Sequence, residues 1–207
     1  MTAPIDLSTR YLGAIIAEFI AVHADITVEL DATDRVVDLI EDGYDVAVRF
    51  GELPESTLIA RKLTTFEGLL CASPAYLAKR GTPTTVEELD DHDKVLFLPS
   101  TRSTGWTLHN GEQTFELGRP ARFSSNNLAA VRDVVLAGGG ISVMPEFMVA
   151  CDIHAEKLVR LLPSWGARAI DVQAVYPARQ NLPPRLTLFL DHLAKSLNPT
   201  PWSQPLA

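Results

Sequence analysis

Cysteine is scarce in this chain: Cys71 and Cys151 are the only two in 207 residues. They supply no disulfide framework and no Cys-x-x-Cys spacing, and both sit among apolar neighbours, so they read as reduced, buried side chains. Long apolar runs are missing too. The longest, around Leu12 to Val22, is broken by Glu18 and falls short of the roughly 20 residues that a bilayer crossing needs. The opening Met-Thr-Ala-Pro-Ile-Asp has neither the charged start nor the apolar core of a signal peptide. Positive charge is in deficit, with 18 Lys and Arg against 26 Asp and Glu and a net charge of −8. Phosphate recognition needs clustered basic residues, and here they are scattered, which argues against a nucleic-acid surface. A reducing cytoplasm is the expected location.

Catalytic constellations are equally absent. No G-x-S-x-G occurs, and the glycine run Gly138-Gly139-Gly140 precedes a predicted strand instead of opening a helix, the wrong order for cradling phosphates. The five histidines, His23, His92, His109, His154 and His192, are far apart and show no H-E-x-x-H spacing. Glu87-Glu88-Leu89-Asp90-Asp91 reads as a solvated turn. No catalytic centre, metal or cofactor is expected.

What is present is an alternation of strands and helices around ample apolar material, 46% of the residues. Ile26 to Leu30 reads as a strand. Thr33 or Asp34 then caps a short helix with Val36, Val37 and Ile40 on one face, and Gly43 stands where a left-handed C-cap belongs. Asp45 to Phe50 follows as a strand apolar enough to be covered on both faces. A βαβ unit of this kind requires a parallel sheet. In open parallel sheets the carboxyl ends of the strands form the binding crevice.

Elsewhere, Thr2-Ala3-Pro4 reads as the end of a first strand. Ser8 or Thr9 caps a helix with Leu12, Ile15, Ile16, Phe19 and Ile20 in helical repeat. Leu58 to Leu63 and Phe66 to Ala72 are strand candidates, followed by a helix from Pro74 to Arg80. Thr85 and Glu88 match a capping box. Lys94 to Leu98 is a strand, and Asn110-Gly111 marks a hairpin between Trp106 to His109 and Gln113 to Leu117. Asn126 or Asn127 caps a helix with Leu128, Val131 and Val135 inward. Gly140 to Met144 is a buried strand, Leu158 to Leu162 and Asp171 to Tyr176 are the last ones, and Leu186, Phe189, Leu190, Leu193 and Leu197 mark a final amphipathic helix. Two strand-helix-strand blocks suggest two similar lobes, with the cleft between them as the site.

Several segments carry a family's wording. Asp38-Leu39-Ile40-Glu41-Asp42-Gly43-Tyr44-Asp45-Val46-Ala47-Val48-Arg49 resembles the effector-binding domain of LysR-type transcriptional regulators. So do Leu58-Ile59-Ala60-Arg61-Lys62-Leu63 and Leu70-Cys71-Ala72-Ser73-Pro74-Ala75-Tyr76-Leu77. Ser125-Asn126-Asn127, Ala137-Gly138-Gly139-Gly140-Ile141 and Met144-Pro145-Glu146-Phe147 follow in the family's order, so the match runs from Thr2 to about Leu197. The resemblance implies an α/β fold of two Rossmann-like lobes joined by two crossover strands, like type 2 periplasmic binding proteins. Lobe I would hold residues 1–70 and 176–207, and lobe II residues 71–175. It also implies that a winged helix-turn-helix, missing from these residues, is the only route to DNA, and that two helices, Leu12 to His23 and Leu128 to Ala137, meet head to tail in a homodimer.

The candidate ligand contacts lie at predicted strand ends: Pro4, Asp6 and Ser8 after the first, Thr33 after the second, Arg49, Phe50 and Gly51 closing the third. Ser100 and Thr101 follow the strand ending at Leu98. Ser125, Asn126 and Asn127 lead into a helix whose free amides suit a carboxylate, and Met144 and Pro145 offer apolar wall. Each has a plainer reading: Ser8, Thr33 and Asn126 as helix caps, Arg49 paired with Asp45 or Glu52, Met144 as core. The expected function is sensing of an anionic or polar small-molecule effector. A two-lobed solute-binding protein of transport type shares the fold but needs an export signal or anchor. An enzyme on this scaffold needs a constellation that is not found.

Overall fold

The protein is an α/β chain, seen in a computed structural model that describes residues 1–51, 57–98, 105–111, 113–118, 120–178, 182–198, 200 and 202. It divides into two units, one built from Met1–Thr65 and Ile170–Gln204 and the other from Phe66–Ala169.

In the first unit β1 (Thr2–Ala3) lies between β2 (Asp31–Ala32) and β3 (Ala47–Phe50), parallel to both, with Thr2 opposite Asp31 and Ala47. The parallel sheet is thus present, and the link from β2 to β3 passes over β1. Two expectations fail here. No strand forms at the predicted Ile26 to Leu30; a two-residue strand, Asp31–Ala32, follows instead, where Thr2 and Ala3 of β1 pair with it. The helix predicted after Thr33 does not form. Asp38 Oδ1 accepts from the Ile40 and Glu41 amides at 2.9 and 3.0 Å, a local bond that competes with helix. The result is a single turn that buries Leu39 and leaves Val36 and Ile40 exposed. Gly43 does adopt the positive φ expected of it, +73°.

The first helical stretch begins earlier than predicted. α1 (Ile5–Leu7) runs through a π-helical turn, Ser8–Leu12, into α2 (Gly13–Val22). Ser8 is therefore inside the helix and no N-cap; its hydroxyl donates back to the Pro4 carbonyl at 2.8 Å. Leu12, Ile15 and Phe19 are buried as the period predicts, whereas Ile20 is exposed. Phe19 meets Phe189 of α6 (Pro184–Ser196) edge-on at 5.0 Å. Each fully buried Leu or Phe here contributes roughly 2 kcal/mol.

Two long strands belong to both units. β4 (Leu58–Ala72) is continuous where two strands were predicted, and β11 (Gly166–Pro177) runs antiparallel to β3 through Val172 to Val175. In the second unit the latter half of β4 pairs antiparallel with β9 (Ser142–Pro145) and β10 (Val159–Arg160). β5 (Val95–Phe97) pairs with β8 (Phe123–Ser125), and β6 (Gly105–Asn110) with β7 (Gln113–Gly118). Trp106, Leu108, Leu117, Leu96 and Ile141 form one core with Leu70 and Tyr76. α3 (Pro74–Arg80) is capped by Ser73, as Pro74 at its start foretells. The Glu88 carboxylate accepts from the amide and hydroxyl of Thr84 and also from the backbone of Thr85. α5 (Glu146–His154) was not foreseen. Between α4 (Leu128–Leu136) and β9, Gly140 has φ +150°, and a Cβ there would stand 2.2 Å from the Asp93 carbonyl that Ile141 needs as acceptor. Only glycine fits.

Candidate ligand-binding site

The register of the first unit sets its site. Thr2 stands level with Asp31 and Ala47, so two residues on, Pro4, Thr33 and Arg49 occupy one row at the carboxyl ends of β1, β2 and β3. The chain continues from that row into Asp6 and Ser8, into Asp34, and into Phe50 and Gly51. Gly51 takes φ +77° and its amide donates to Asp171 at 2.8 Å, while Gln173 donates to its carbonyl. Thr33 Oγ1 accepts from the Arg35 amide at 3.3 Å, a turn bond in place of the predicted cap. Asp34 Oδ1 takes the Ile5 amide at 3.2 Å, so it closes the start of α1. The π-turn beside this row widens the helix just where Ser8 bends back to Pro4; such turns are frequent at functional sites.

Arg49 is the cation of the row. Its guanidinium donates to Thr2 Oγ1 at 3.1 Å and to the Val48 carbonyl at 2.8 Å. Neither Asp45 nor any other carboxylate among the described residues forms an ion pair with it; Glu52 lies outside the described residues. Burial pulls the guanidinium below its ordinary value, against the pull of Asp34, then Asp31 and Tyr44. Tyr44 donates to the Asp31 carboxylate, and that bond holds the phenol above its usual range. The Asp6 carboxyl is raised by burial and by Asp34, with Arg10 offsetting part of the effect. One cation is therefore set among several carboxylates. The sequence pointed to Arg49 and Asp6 but used Asp34 only as a cap. The carboxylates beside Arg49 become visible only once the register is known.

In the second unit, Asn127 caps α4. Its Oδ1 accepts from the Ala130 amide at 2.8 Å, and its own amide donates to Ser125 Oγ at 3.0 Å. Asn126 precedes it and is exposed. Met144 is fully buried opposite Leu69 of β4, and Pro145 starts α5 half-buried. Ser100 and Thr101 lie outside the described residues.

Among the described residues no three His, Cys, Asp or Glu are gathered to hold a metal. Cys71 is buried, and its thiol is pushed up to about 12 by burial and by Asp152. A cavity of about 810 Å³ lies at the opposite, amino ends of the first unit's strands, lined by Phe19, Leu30, Asp31, Tyr44 and Phe189. Among the described residues no helix is long and apolar enough to cross a membrane.

A family model, the LysR substrate binding domain, matches residues 1–198. The transcriptional regulator PtxR of Pseudomonas aeruginosa is 36% identical, over 98% of this chain and 65% of its own length. Among solved structures, the regulatory domain of CrgA, a LysR-type transcriptional regulator from Neisseria meningitidis, superimposes with a TM-score of 0.84 at 30% identity, covering 95% of this chain and 96% of that one. The regulatory domain of AphB from Vibrio vulnificus does so at 0.77 and 32%, covering 94% and 95%. The chain spans 58 to 65% of the length of four curated relatives that it matches. The α/β fold is thus that of these regulatory domains.

Proposed function

The chain belongs to the LysR substrate binding domain family, and from that premise we propose that it is the effector-sensing and oligomerisation part of a LysR-type transcriptional regulator. It binds a polar or anionic small molecule and performs no catalysis. DNA is reached through a winged helix-turn-helix module of the whole regulator, a reading supported by the net charge of −8, which argues against phosphate binding by this chain. The place of work is the cytoplasm.

The observation that supports this reading best is the row at the ends of β1, β2 and β3, with a half-buried guanidinium whose hydrogen bonds to Thr2 and Val48 leave donors to spare. Parallel strands offer ligands their carboxyl ends, and a charged donor held out of bulk water binds an anion strongly. In the first unit the contacts are Pro4, Asp6, Ser8, Thr33, Arg49, Phe50 and Gly51. In the second they are Asn126 and Asn127 at the start of α4, with Pro145 beside the buried Met144. A thermal-shift screen of small carboxylates and aromatic acids, with turnover assayed in parallel, finds the effector. Arg49→Ala then weakens it by about tenfold, or 1.4 kcal/mol. Asn127→Ala weakens it as well, and costs about 1 kcal/mol of stability as a lost cap. Unchanged dissociation constants in both variants refute this placement, and turnover of a bound compound refutes the sensor.

Oligomerisation rests on α2. Ile20 and Val22 are exposed there, Val22 by 73%, and apolar surface on a helix otherwise committed to its own core marks a partner face. The partner is a second copy, whose α4 packs on α2 across a twofold axis.

A further inference from the structure

We propose that the cavity at the amino ends of the first unit's strands takes an extended basic peptide, which adds to the sheet as a strand in line with β1. It lies at the opposite strand ends from the effector edge and does not depend on it. For its two residues β1 runs between β2 and β3, so those flanks stand two strand spacings apart, roughly 10 Å. Ahead of β1 the same flanks run on, as residues 25–30 on one side and 44–46 on the other, and the cavity of about 810 Å³ lies between them. Ile26, Val28 and Leu30 are partly buried while Thr27 and Glu29 are exposed, the alternation of a strand.

The ladder of β1 sets where an added strand bonds. The Met1 amine donates to the Glu29 carbonyl at 2.7 Å and the Asp31 amide to the Met1 carbonyl at 2.9 Å. On the other side the Thr2 amide donates to the Val46 carbonyl at 3.0 Å. Parallel rungs recur at every second residue. The next groups in line are therefore the amides of Glu29, Thr27 and Val46 and the carbonyls of Thr27 and Tyr44. None of these has a hydrogen-bond partner among the described residues. Main-chain bonds give an added strand its affinity, and contacts of its alternate side chains give selectivity. Phe19, Leu186 and Phe189 wall the cavity with apolar surface, which suits apolar residues at alternate positions. Around it Asp25, Glu29, Asp42 and Asp45 are exposed, with Arg185 and the Met1 amine as the cations. That surplus of negative charge favours Lys or Arg at the intervening positions and repels an acidic peptide. At about 3.3 Å per residue, the flank from Asp25 to Leu30 accommodates about five or six residues.

The test titrates the chain by calorimetry with two blocked hexapeptides, one alternating Lys with Val and one alternating Glu with Val, and follows amide hydrogen exchange. The Lys–Val peptide should bind, the Glu–Val peptide about tenfold more weakly or worse, and exchange should slow at Thr27, Glu29 and Val46. Thr27→Pro removes an amide that faces the cavity and should weaken the Lys–Val peptide about tenfold or more. Val28→Pro removes one that faces the free edge and should leave binding within about threefold. Exchange in the parent chain decides by itself should Thr27→Pro unfold. Equal binding of the two peptides, or the same loss in both proline variants, overturns strand addition by a basic peptide. A third arm joins the Lys–Val hexapeptide to Met1. If the joined segment protects the three amides while the free peptide neither binds nor protects them, the groove serves the chain's own line and the partner peptide is overturned. No binding and no protection in any arm overturns the groove as a strand site.

Discussion

Asp6 is where the ligand edge touches stability. Its folded-state pKa lies above the 3.8 of the free group, through burial first and Asp34 second. The folded chain therefore holds that proton to higher pH than the unfolded chain does. Its contribution is most favourable below 3.8 and is lost as pH rises through the folded value, so at neutral pH the ionised group is a net cost. Asp6→Asn should raise the midpoint of thermal unfolding at pH 7 and flatten the stability profile on the alkaline side of 3.8; an unchanged midpoint contradicts the assignment. Cys71 makes the opposite kind of residue-level statement. A thiol pushed up to about 12 and fully buried has almost no thiolate at neutral pH, and the thiolate is the reactive form. In the native protein Cys71 should stay unmodified by a thiol reagent under conditions where urea-unfolded protein reacts at both cysteines. At this scale the sequence named Arg49 and Asp6 as candidates and foresaw the burial of Cys71, whereas Cys151, also expected to be buried, is only partly so. Electrostatic neighbours were not legible, because Asp31, Asp34 and Arg49 come together through strand register and not through spacing.

Elements were legible where one signal ruled. Leu128, Val131 and Val135 repeat with helical period behind an Asn cap, and α4 forms there with all three buried. Pro74 behind Ser73, and Asn110-Gly111 between alternating strands, were equally unambiguous. Between Thr33 and Gly43 two signals competed. Helical spacing of Val36, Val37 and Ile40 lost to the side-chain turn of Asp38, since one Asp bond satisfies two amides without any helix to hold. α5 went unseen because Pro145 follows a buried strand directly, and the same residue that ends β9 opens the helix as its N-cap. That helix is joined to α4 by Arg132, whose Nε and Nη2 grip the Asp152 carboxylate at 2.6 and 2.7 Å. The Asp152 side chain is only 5% exposed. Arg132→Met leaves that carboxylate buried and unpaired, at a cost of about 3–5 kcal/mol. Asp152→Leu added to it removes the stranded charge and should recover most of the loss. Equilibrium urea unfolding of the two variants measures both; a single variant as stable as the parent would show that the pair does not hold α4 to α5.

The chain as a whole announced its family through order rather than through any one motif. Short pieces from Asp38 to Phe147 stand in the sequence that these regulators use, and each maps to a strand end, a crossover strand or a helix start. What order cannot convey is assembly. In α2, Ile15 and Phe19 go inward while Ile20 and Val22 stay in solvent, 44% and 73% exposed. Full burial of such a side chain is worth roughly 1.5–3 kcal/mol, and a partner would supply the part of it that the exposed fraction of each forfeits. Two copies related by a twofold axis place every such side chain in the interface twice, so the gain doubles while one association cost is met. At micromolar concentration the chain should sediment at twice its 22.6 kDa. Ile20→Lys with Val22→Lys should bring it to the monomer, with α2 still packed on α6 through Phe19 and Phe189. A parent chain that sediments as a clean monomer removes the dimer. A dimer indifferent to both lysines keeps the assembly and moves its interface away from α2.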